Sequence, residues 1–283
     1  MNYIDYLQET ARKNNSIVCF GMDPIMEKIP LKGSTYGRIV KFYETILNRM
    51  VKDNILPGAV KPNYAFYAQY GLPGIKSLHT LIQRYREARL PVILDVKRGD
   101  IGSTAAAYAK ESFEFFQADA VTLSPYMGYD SLQPFIAGYP DKGYYILTRT
   151  SNQSSPDIQD IASDGVTVYE KVARKIIEWD HPGIGSVVGA TYPEELEKIA
   201  SIYNDSGKSV PLLIPGVGSQ GGSLKDILGT IGRTKNILVH RINSSSALNF
   251  AYISRKEKNF AAASVSALHE LNSEINELLN GYK

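Results

Sequence analysis

The sequence feature that most constrains the fold is a repeated alternation of short apolar runs and stretches with helical character. Eight runs rich in β-forming residues occur in 283 residues, and amphipathic stretches separate them. This alternation is typical of a parallel sheet covered by helices. Eight strand–helix units predict an α/β protein with a (β/α)8 TIM barrel, whose usual length is ~250 residues. The runs span residues 16–23, 58–61, 91–97, 119–126, 143–152, 183–191, 210–218 and 236–244.

A doubly wound open sheet is the alternative architecture. It would have to be larger than usual to hold eight parallel strands. No linker-like tract of Gly, Ser or Pro and no break in composition divides the chain. We therefore expect a single domain over residues 1–283, with residues 3–14 and 261–282 forming extra amphipathic helices at the two ends.

Charge and hydropathy argue against several classes of protein. The net charge of +2 gives no long-range attraction to nucleic acids or membranes. No apolar run approaches the ~20 residues of a membrane span, and the N-terminus lacks the pattern of a secretory signal. The lone Cys19 suits a reducing compartment, so we expect a cytoplasmic protein. The four histidines are scattered without metal-ligand spacing, and no metal site is expected.

The residues best suited to chemistry lie at the ends of the predicted strands. In a TIM barrel, functional groups gather at the carboxyl ends of the strands and in the loops that follow. Acids, lysines, hydroxyls, amides and glycines all occur at these points. The candidates, in chain order, are Asp23, Lys61, Asp95, Lys97, Ser151, Asn152, Gly218, Gln220, Ser245 and Ser246.

The third strand is the most informative of the eight. Side chains alternate between the faces of a strand, so Asp95 and Lys97 should point together into the barrel, and Arg98 toward the helices in a structural role. Asp100 follows in the loop, and the small residues around Thr104 permit close approach of another surface. A purely structural ion pair is the alternative interpretation of Asp95 and Lys97.

This third-strand stretch resembles the signature of the orotidine 5'-phosphate decarboxylase family. Further segments agree with that family, and the resemblance runs from about residue 16 to residue 255, most closely to its longer-chain, type 2 branch. It implies a TIM barrel that converts orotidine 5'-monophosphate (OMP) to UMP and CO2, the last step of de novo UMP synthesis, without a metal or organic cofactor. The matching segments read DVKRGDIGSTA, FGMDP, VKPNYAFY, LSPYMGYDS, LTRTSN, VVGATYPEEL and IPGVGSQGG.

The resemblance also implies roles for the candidate residues. Lys97 would protonate the pyrimidine carbon as the carboxylate leaves, within an alternating array of two lysines and two aspartates. Asp100 and Thr104 would reach the site of the partner in a homodimer. Asp23 would hold the ribose with help from Lys61. Ser151 and Asn152 would read the pyrimidine edge, and the stretch with Gly218 and Gln220 would close over the phosphate.

The charges of the array agree with this chemistry. Lys61, Asp95, Lys97 and Asp100 sum to zero, so they can be buried without a costly unpaired charge. Acidic neighbours favour the ammonium form of Lys97. An ammonium is a competent general acid but a poor Schiff-base nucleophile. The pattern therefore favours proton donation over aldolase-like covalent catalysis.

One position departs from the family pattern. After the eighth strand the family usually has an Arg that grips the phosphate, whereas this chain has Ser245 and Ser246. A serine hydroxyl and the following helix N-terminus can still favour an anion. The phosphate end of the predicted site therefore lacks its expected cation.

Two other functions remain open at this level. A related barrel with a similar D-x-K-x-x-D motif uses Mg2+ on a sugar phosphate, although Lys61 stands where such a site would want another acid. A non-catalytic nucleotide-binding protein is suggested by the missing Arg and opposed by the complete charge array.

Overall fold

The computed structural model describes residues 1–217 and 223–281. Eight strands run parallel in one sheet, and a short antiparallel hairpin of β6 and β7 stands apart from it. All eight predicted strands are therefore present. The strands are β1 (Val18–Met22), β2 (Ala59–Pro62), β3 (Ile93–Arg98), β4 (Ala120–Leu123), β5 (Gly143–Arg149), β6 (Ala162–Ser163), β7 (Val166–Thr167), β8 (Ile184–Val188), β9 (Leu212–Ile214) and β10 (Arg241–Ser244).

The order of the strands decides between a barrel and an open sheet. Neighbouring strands follow the order β2-β1-β10-β9-β8-β5-β4-β3. Single parallel bridges, Val60 to Val92 and Asn63 to Asp95, join the two edges of this sheet. The sheet thus closes on itself into a nearly complete barrel, and the predicted TIM-barrel fold is confirmed.

Helices cover the outside of the barrel. The long helix that follows β1 shows why they form, because Ser34 accepts a hydrogen bond from Gly37 N at its start and Asn54 ends it in a left-handed conformation. The helices are α1 (Tyr3–Asn14), α2 (Thr35–Asp53), α3 (Tyr64–Ala68), α4 (Gly71–Glu87), α5 (Gly102–Lys110), α6 (Gln133–Gly138), α7 (Pro156–Gln159), α8 (Val168–Glu178), α9 (Pro193–Asp205), α10 (Leu224–Ile231), α11 (Ser246–Asn249), α12 (Ala251–Ser254) and α13 (Phe260–Asn280).

Both predicted terminal helices are present, as α1 and α13. Helix α1 contacts the amino end of the barrel, where Tyr3 and Leu7 join a small inner core built from strand side chains. The Tyr3 hydroxyl donates to the Tyr145 hydroxyl at 3.1 Å, which ties the helix to β5. A larger outer core fills the layer between the strands and the helices. No helix in residues 1–217 or 223–281 has the length and apolar character that crossing a lipid bilayer requires.

Candidate active site

A cavity of about 750 Å3 opens at the carboxyl ends of the barrel strands. Each of the eight barrel strands, or the loop directly after it, contributes to its lining. Charged side chains line the cavity at the ends of β1, β2 and β3. Hydroxyls and amides line it after β5 and at the end of β10. The fold therefore brings those predicted strand-end residues that the structure describes to one place, as a TIM barrel does with its functional groups.

Three charged side chains meet at one side of this cavity. Lys61 Nζ lies 2.7 Å from Asp95 Oδ2, and Lys97 Nζ lies 2.6 Å from Asp95 Oδ1. Lys61 and Asp95 are buried, whereas the Lys97 side chain is 49% exposed. Asp95 thus holds two ammonium groups at once, and the more accessible of the two belongs to Lys97.

The electrostatics of this cluster favour its ionised state. Burial works against the charge of Asp95, but Lys61 and Lys97 outweigh it and hold the pKa of this carboxyl well below its usual range. Burial likewise opposes the ammonium of Lys61, yet Asp95 and Asp23 raise its pKa above the ordinary value. Each buried charge therefore persists because the opposite charge lies within hydrogen-bond distance.

The end of β3 is less regular than strict alternation predicts. The pairing register between β3 and β4 shifts between Leu94 and Arg98, and Lys97 has a φ of 47°, in the left-handed region. Such a bulge re-aims a side chain. Asp95 and Lys97 do meet, as predicted, but a local bulge accompanies this contact. Regular alternation alone does not account for it.

Arg98 points away from the cavity, as the sequence indicates. Its guanidinium donates to Glu111 at 2.8 Å and stacks over the rings of Tyr64 and Tyr108. Glu111 begins a π-helical turn, Glu111–Phe115, that directly continues α5. Arg98 therefore links the end of β3 to the helical layer.

Asp100 and Thr104 lie outside the cavity of their own chain. Asp100 is half-buried in the loop after β3, where its Oδ1 accepts a hydrogen bond from Ile101 N at 2.8 Å. Thr104 is exposed in the first turn of α5. Ile101, next to Asp100 in sequence, is also exposed, at 50%, as is Tyr126 in the loop after β4, at 86%. The structure thus does not bring Asp100 together with Lys61, Asp95 and Lys97 within one chain.

Asp23, Ser151 and Asn152 line the cavity as predicted. Asp23 Oδ1 is buried and has no hydrogen-bond partner among the described residues, so it is available to a ligand. Ser151 lies so close to Gly189, at the end of β8, that a Cβ there would fall 2.9 Å from the Ser151 Cβ. A glycine at position 189 is therefore required for this loop to lie where it does.

Ser245 and Ser246 line the cavity directly after β10, which pairs with β1. A Cβ on Gly21 would overlap the Ser245 hydroxyl, so position 21 in β1 must be a glycine for the residue after β10 to approach it. Lys61 and Lys97 are the only cations among the described lining residues, and both belong to the Asp95 cluster. Gly218 and Gln220, the two predicted residues of the Gly-rich stretch, lie outside the described residues.

Sequence reasoning missed several polar residues of the cavity, of which Thr122 and Gln159 make the most hydrogen bonds to predicted or neighbouring site residues. Thr122, in β4, donates to Asp95 Oδ1 at 2.9 Å. Gln159, in α7, accepts from Thr150 N at 2.9 Å and donates to the Thr150 hydroxyl, which in turn donates to Asn152. The position of Thr122 in the fourth strand was a usable signal, whereas the contact of Gln159 depends on how its loop folds back.

The carboxylates of the site do not form a metal cluster. Among residues 1–217 and 223–281, no group of three or more His, Cys, Asp or Glu side chains could hold a metal ion. The oxygens of Asp95 are already bonded to two ammonium groups and a hydroxyl. The donor set therefore favours cationic and hydrogen-bonding chemistry.

Fold and site together define a class: a TIM-barrel enzyme with two lysines ion-paired to one aspartate in the cavity at the ends of its strands. The model of the orotidine 5'-phosphate decarboxylase / HUMPS family matches residues 49–241. The chain belongs to this family.

Individual relatives agree over the whole length. The chain is 44% identical to the orotidine 5'-phosphate decarboxylase of Dechloromonas aromatica, over 98% of this chain and 99% of the relative. It is 42% identical to the enzyme of the same name from Ralstonia pickettii, over 99% and 100%. Among solved structures, the OMP decarboxylase of Leishmania donovani superimposes with a TM-score of 0.81 at 35% identity, covering 99% of both chains.

Proposed function

We infer that this chain decarboxylates OMP to UMP and CO2 in pyrimidine biosynthesis, without a cofactor and with Lys97 as the proton donor. The observation that carries the proposal is the Lys61–Asp95–Lys97 cluster at the mouth of the barrel, with its N–O distances of 2.7 and 2.6 Å. Membership of the family and full-length identity to curated decarboxylases support the reaction itself.

In the proposed reaction, the bond between the pyrimidine ring and its carboxylate breaks and CO2 leaves. The electron pair stays on the ring carbon, and the ammonium of Lys97 supplies the proton that forms the new C–H bond. Asp95 faces the departing carboxylate, and their repulsion ends as CO2 leaves. The charge pattern exists before substrate arrives, so little reorganisation is needed as negative charge develops on the ring.

Substrate binding is assigned to the remaining strand ends. Asp23, with its unsatisfied carboxylate oxygen, would hold the ribose next to Lys61. Ser151 and Asn152 would contact the pyrimidine edge from the loop after β5. The phosphate would bind after β10, where the hydroxyls of Ser245 and Ser246 line the cavity. Gly218 and Gln220 are proposed to complete that end.

We further propose a homodimer in which Asp100 and Thr104 enter the partner's site. The support is that both lie outside the cavity of their own chain, and that the apolar side chains of Ile101, next to Asp100 in sequence, and of Tyr126, in the loop after β4, are exposed. Burying these apolar side chains would stabilise an interface. We also propose that residues 1–283 form a single domain, and that the chain belongs to the longer-chain branch of the family, which its sequence motifs resemble.

The absorbance of OMP in the ultraviolet tests the reaction directly. Purified protein mixed with OMP should change the spectrum to that of UMP, at a rate proportional to enzyme and unaffected by EDTA. The absence of a spectral change at any enzyme concentration would contradict the proposed decarboxylase activity. Loss of turnover in EDTA, restored by Mg2+, would instead indicate the metal-dependent alternative.

Size-exclusion chromatography with light scattering tests the dimer. Mixing Asp100→Asn with Lys97→Ala offers a sharper test, because a shared site predicts partial recovery of turnover in the mixed dimer. In that dimer, one site receives a normal Lys97 from one subunit and a normal Asp100 from the other. No recovery after verified subunit exchange would place Asp100 outside the partner's site.

A further inference from the structure

The side chain of Thr122 is directed at the catalytic cluster from the neighbouring strand. It is 2% exposed, lies in β4 and lines the cavity. Its hydroxyl makes three hydrogen bonds, all to the end of β3: it accepts from Val96 N at 3.0 Å and from Lys97 N at 2.9 Å, and it donates to Asp95 Oδ1 at 2.9 Å.

We propose that Thr122 is a positioning residue that fixes the Asp95 carboxylate and the backbone of Lys97 in the geometry required for proton transfer. This inference rests on the proposed function, because it concerns the same two residues. It adds a residue that never touches the reacting atoms and acts only through Asp95 and Lys97.

The hydrogen-bonding capacity of the hydroxyl determines its orientation. A threonine hydroxyl has one proton to donate and two lone pairs that accept. The two backbone N–H groups occupy both lone pairs, so the proton is directed to Asp95 Oδ1. A donor fixed in this way stabilises the ionised carboxylate, which can only accept.

The backbone of Lys97 needs such support. A φ of 47° is unfavourable for a residue with a Cβ, and it persists only where the surroundings impose it. The two N–H groups that bond to Thr122 belong to Lys97 and to the residue before it. One hydroxyl therefore holds the bulge that carries the proposed proton donor.

The carboxylate of Asp95 is held at both oxygens. Oδ2 accepts from Lys61, and Oδ1 accepts from Lys97 and Thr122 together. Without Thr122, Oδ1 keeps only the half-exposed ammonium of Lys97 as a partner, and the carboxylate can rotate toward it. Proton transfer depends on alignment, and a misplacement of about 1 Å can cost on the order of a hundredfold in rate.

Thr148 provides a matched control. It is also 2% exposed and lies in the adjacent strand β5, but its hydroxyl donates to Ile146 O and accepts from Ser186. It makes no contact with Asp95 or Lys97. Replacing each threonine by valine removes the same hydroxyl at the same burial and keeps the volume nearly constant.

The test compares Thr122→Val, Thr122→Ser and Thr148→Val with the unaltered protein in OMP turnover and in UMP binding by calorimetry. We expect Thr122→Val to lower kcat by roughly 10- to 100-fold, with the Kd for UMP changed less than about threefold. Thr122→Ser should recover most of the lost kcat, and Thr148→Val should keep kcat near that of the unaltered protein. A merely structural role would instead change kcat and UMP binding together.

Equal kcat values for Thr122→Val and Thr148→Val would overturn the inference, as would loss of UMP binding in proportion to kcat. If Thr122→Val does not fold, Thr122→Cys takes its place, since a thiol is a weak donor and acceptor. Its kcat should lie well below that of Thr122→Ser, and equal values would overturn the inference. Failure of the proposed function itself is distinguishable, because the unaltered protein would then not turn over OMP.

Discussion

The two ends of the barrel each bury a cation, and they hold it in different ways. At the mouth, Lys61 pairs with Asp95 at 2.7 Å. At the floor, the Arg241 side chain is fully buried and donates to three backbone carbonyls, those of Leu7, Leu238 and His240, at 2.7 to 2.9 Å. No carboxylate within 4 Å pairs with it among the described residues.

The pKa shifts of the two cations follow from this difference. Burial opposes the charge of both, but Asp95 reverses the effect at Lys61 and raises its pKa. At Arg241 burial prevails, and its pKa is lowered. The mouth thus joins opposite charges in a cluster suited to stabilise a changing charge, whereas the floor uses carbonyl dipoles to attach α1 to β10. One end groups ionised side chains in the cavity, and the other joins a terminal helix to the barrel.

The largest expected effect is at the mouth, in Lys97→Ala. We expect turnover to fall by roughly 10²- to 10⁴-fold, which is the typical contribution of a positioned general acid. The fold should persist, since the side chain is half exposed. The OMP absorbance assay and a thermal melt measure the two properties. Lys171→Ala, at an exposed lysine of α8, is the control, and turnover within tenfold of it would exclude Lys97 as proton donor.

Asp95→Asn should damage both activity and stability. It leaves two lysines without their shared anion, and removal of one partner of a buried pair costs about 3–5 kcal/mol. Denaturant unfolding at pH 7 measures this loss. Because the pKa of Asp95 is lowered in the folded state, its contribution is present above pH ~4 and is lost as the pH falls further. The stability gap between the two proteins should therefore narrow from pH 5 to pH 2, and a constant gap would contradict the ionised cluster.

Arg241→Met tests the floor of the barrel. Three carbonyls lose their donor, and α1 loses a link to β10, so we expect a loss of roughly 2–4 kcal/mol in unfolding free energy. The kcat for OMP should stay within about twofold at 25 °C, since the side chain points away from the cavity. Arg255→Met, which breaks a largely exposed ion pair with Glu270 of α13, should cost about 1 kcal/mol or less. If Arg241→Met lowered kcat strongly without lowering the unfolding free energy, the proposed division between a reactive mouth and a structural floor would be wrong.

The smallest expected effect is a gain, in Ser246→Arg. The described lining of the cavity has no cation outside the Asp95 cluster. A charge-assisted hydrogen bond to phosphate contributes about 1.5 kcal/mol or more, which corresponds to roughly tenfold tighter UMP binding. The gain should shrink at high salt. Ser246→Gln, which is similar in length but uncharged, is the control. An equal gain in UMP affinity in both variants would show that the positive charge is not the cause of the gain.

Much of the fold could be predicted from the sequence because its signals are local. Each barrel strand is a short apolar run, and the turn from β3 to α5 carries its charges within six positions, from Asp95 to Asp100. Periodicity and strand-end position were enough to place Asp23, Lys61, Asp95 and Lys97 at one mouth. The route by which Lys97 reaches Asp95 was not predictable, because the backbone at the bulge donates to a hydroxyl 25 residues away, and such a contact is visible only in the folded chain.

The sequence by itself determined the eight-unit barrel, its two terminal helices and the residues that meet at its carboxyl end. The tertiary structure decided which of those residues touch. In the folded chain Thr122 donates a hydrogen bond to Asp95, and Arg241 donates to the backbone of α1 at the floor of the barrel. Asp100 lies outside the cavity of its own chain. The physical reason is that strands and helices follow from patterns within a few residues. A hydrogen bond between strands depends on register and on closure of the barrel, which only the folded chain establishes.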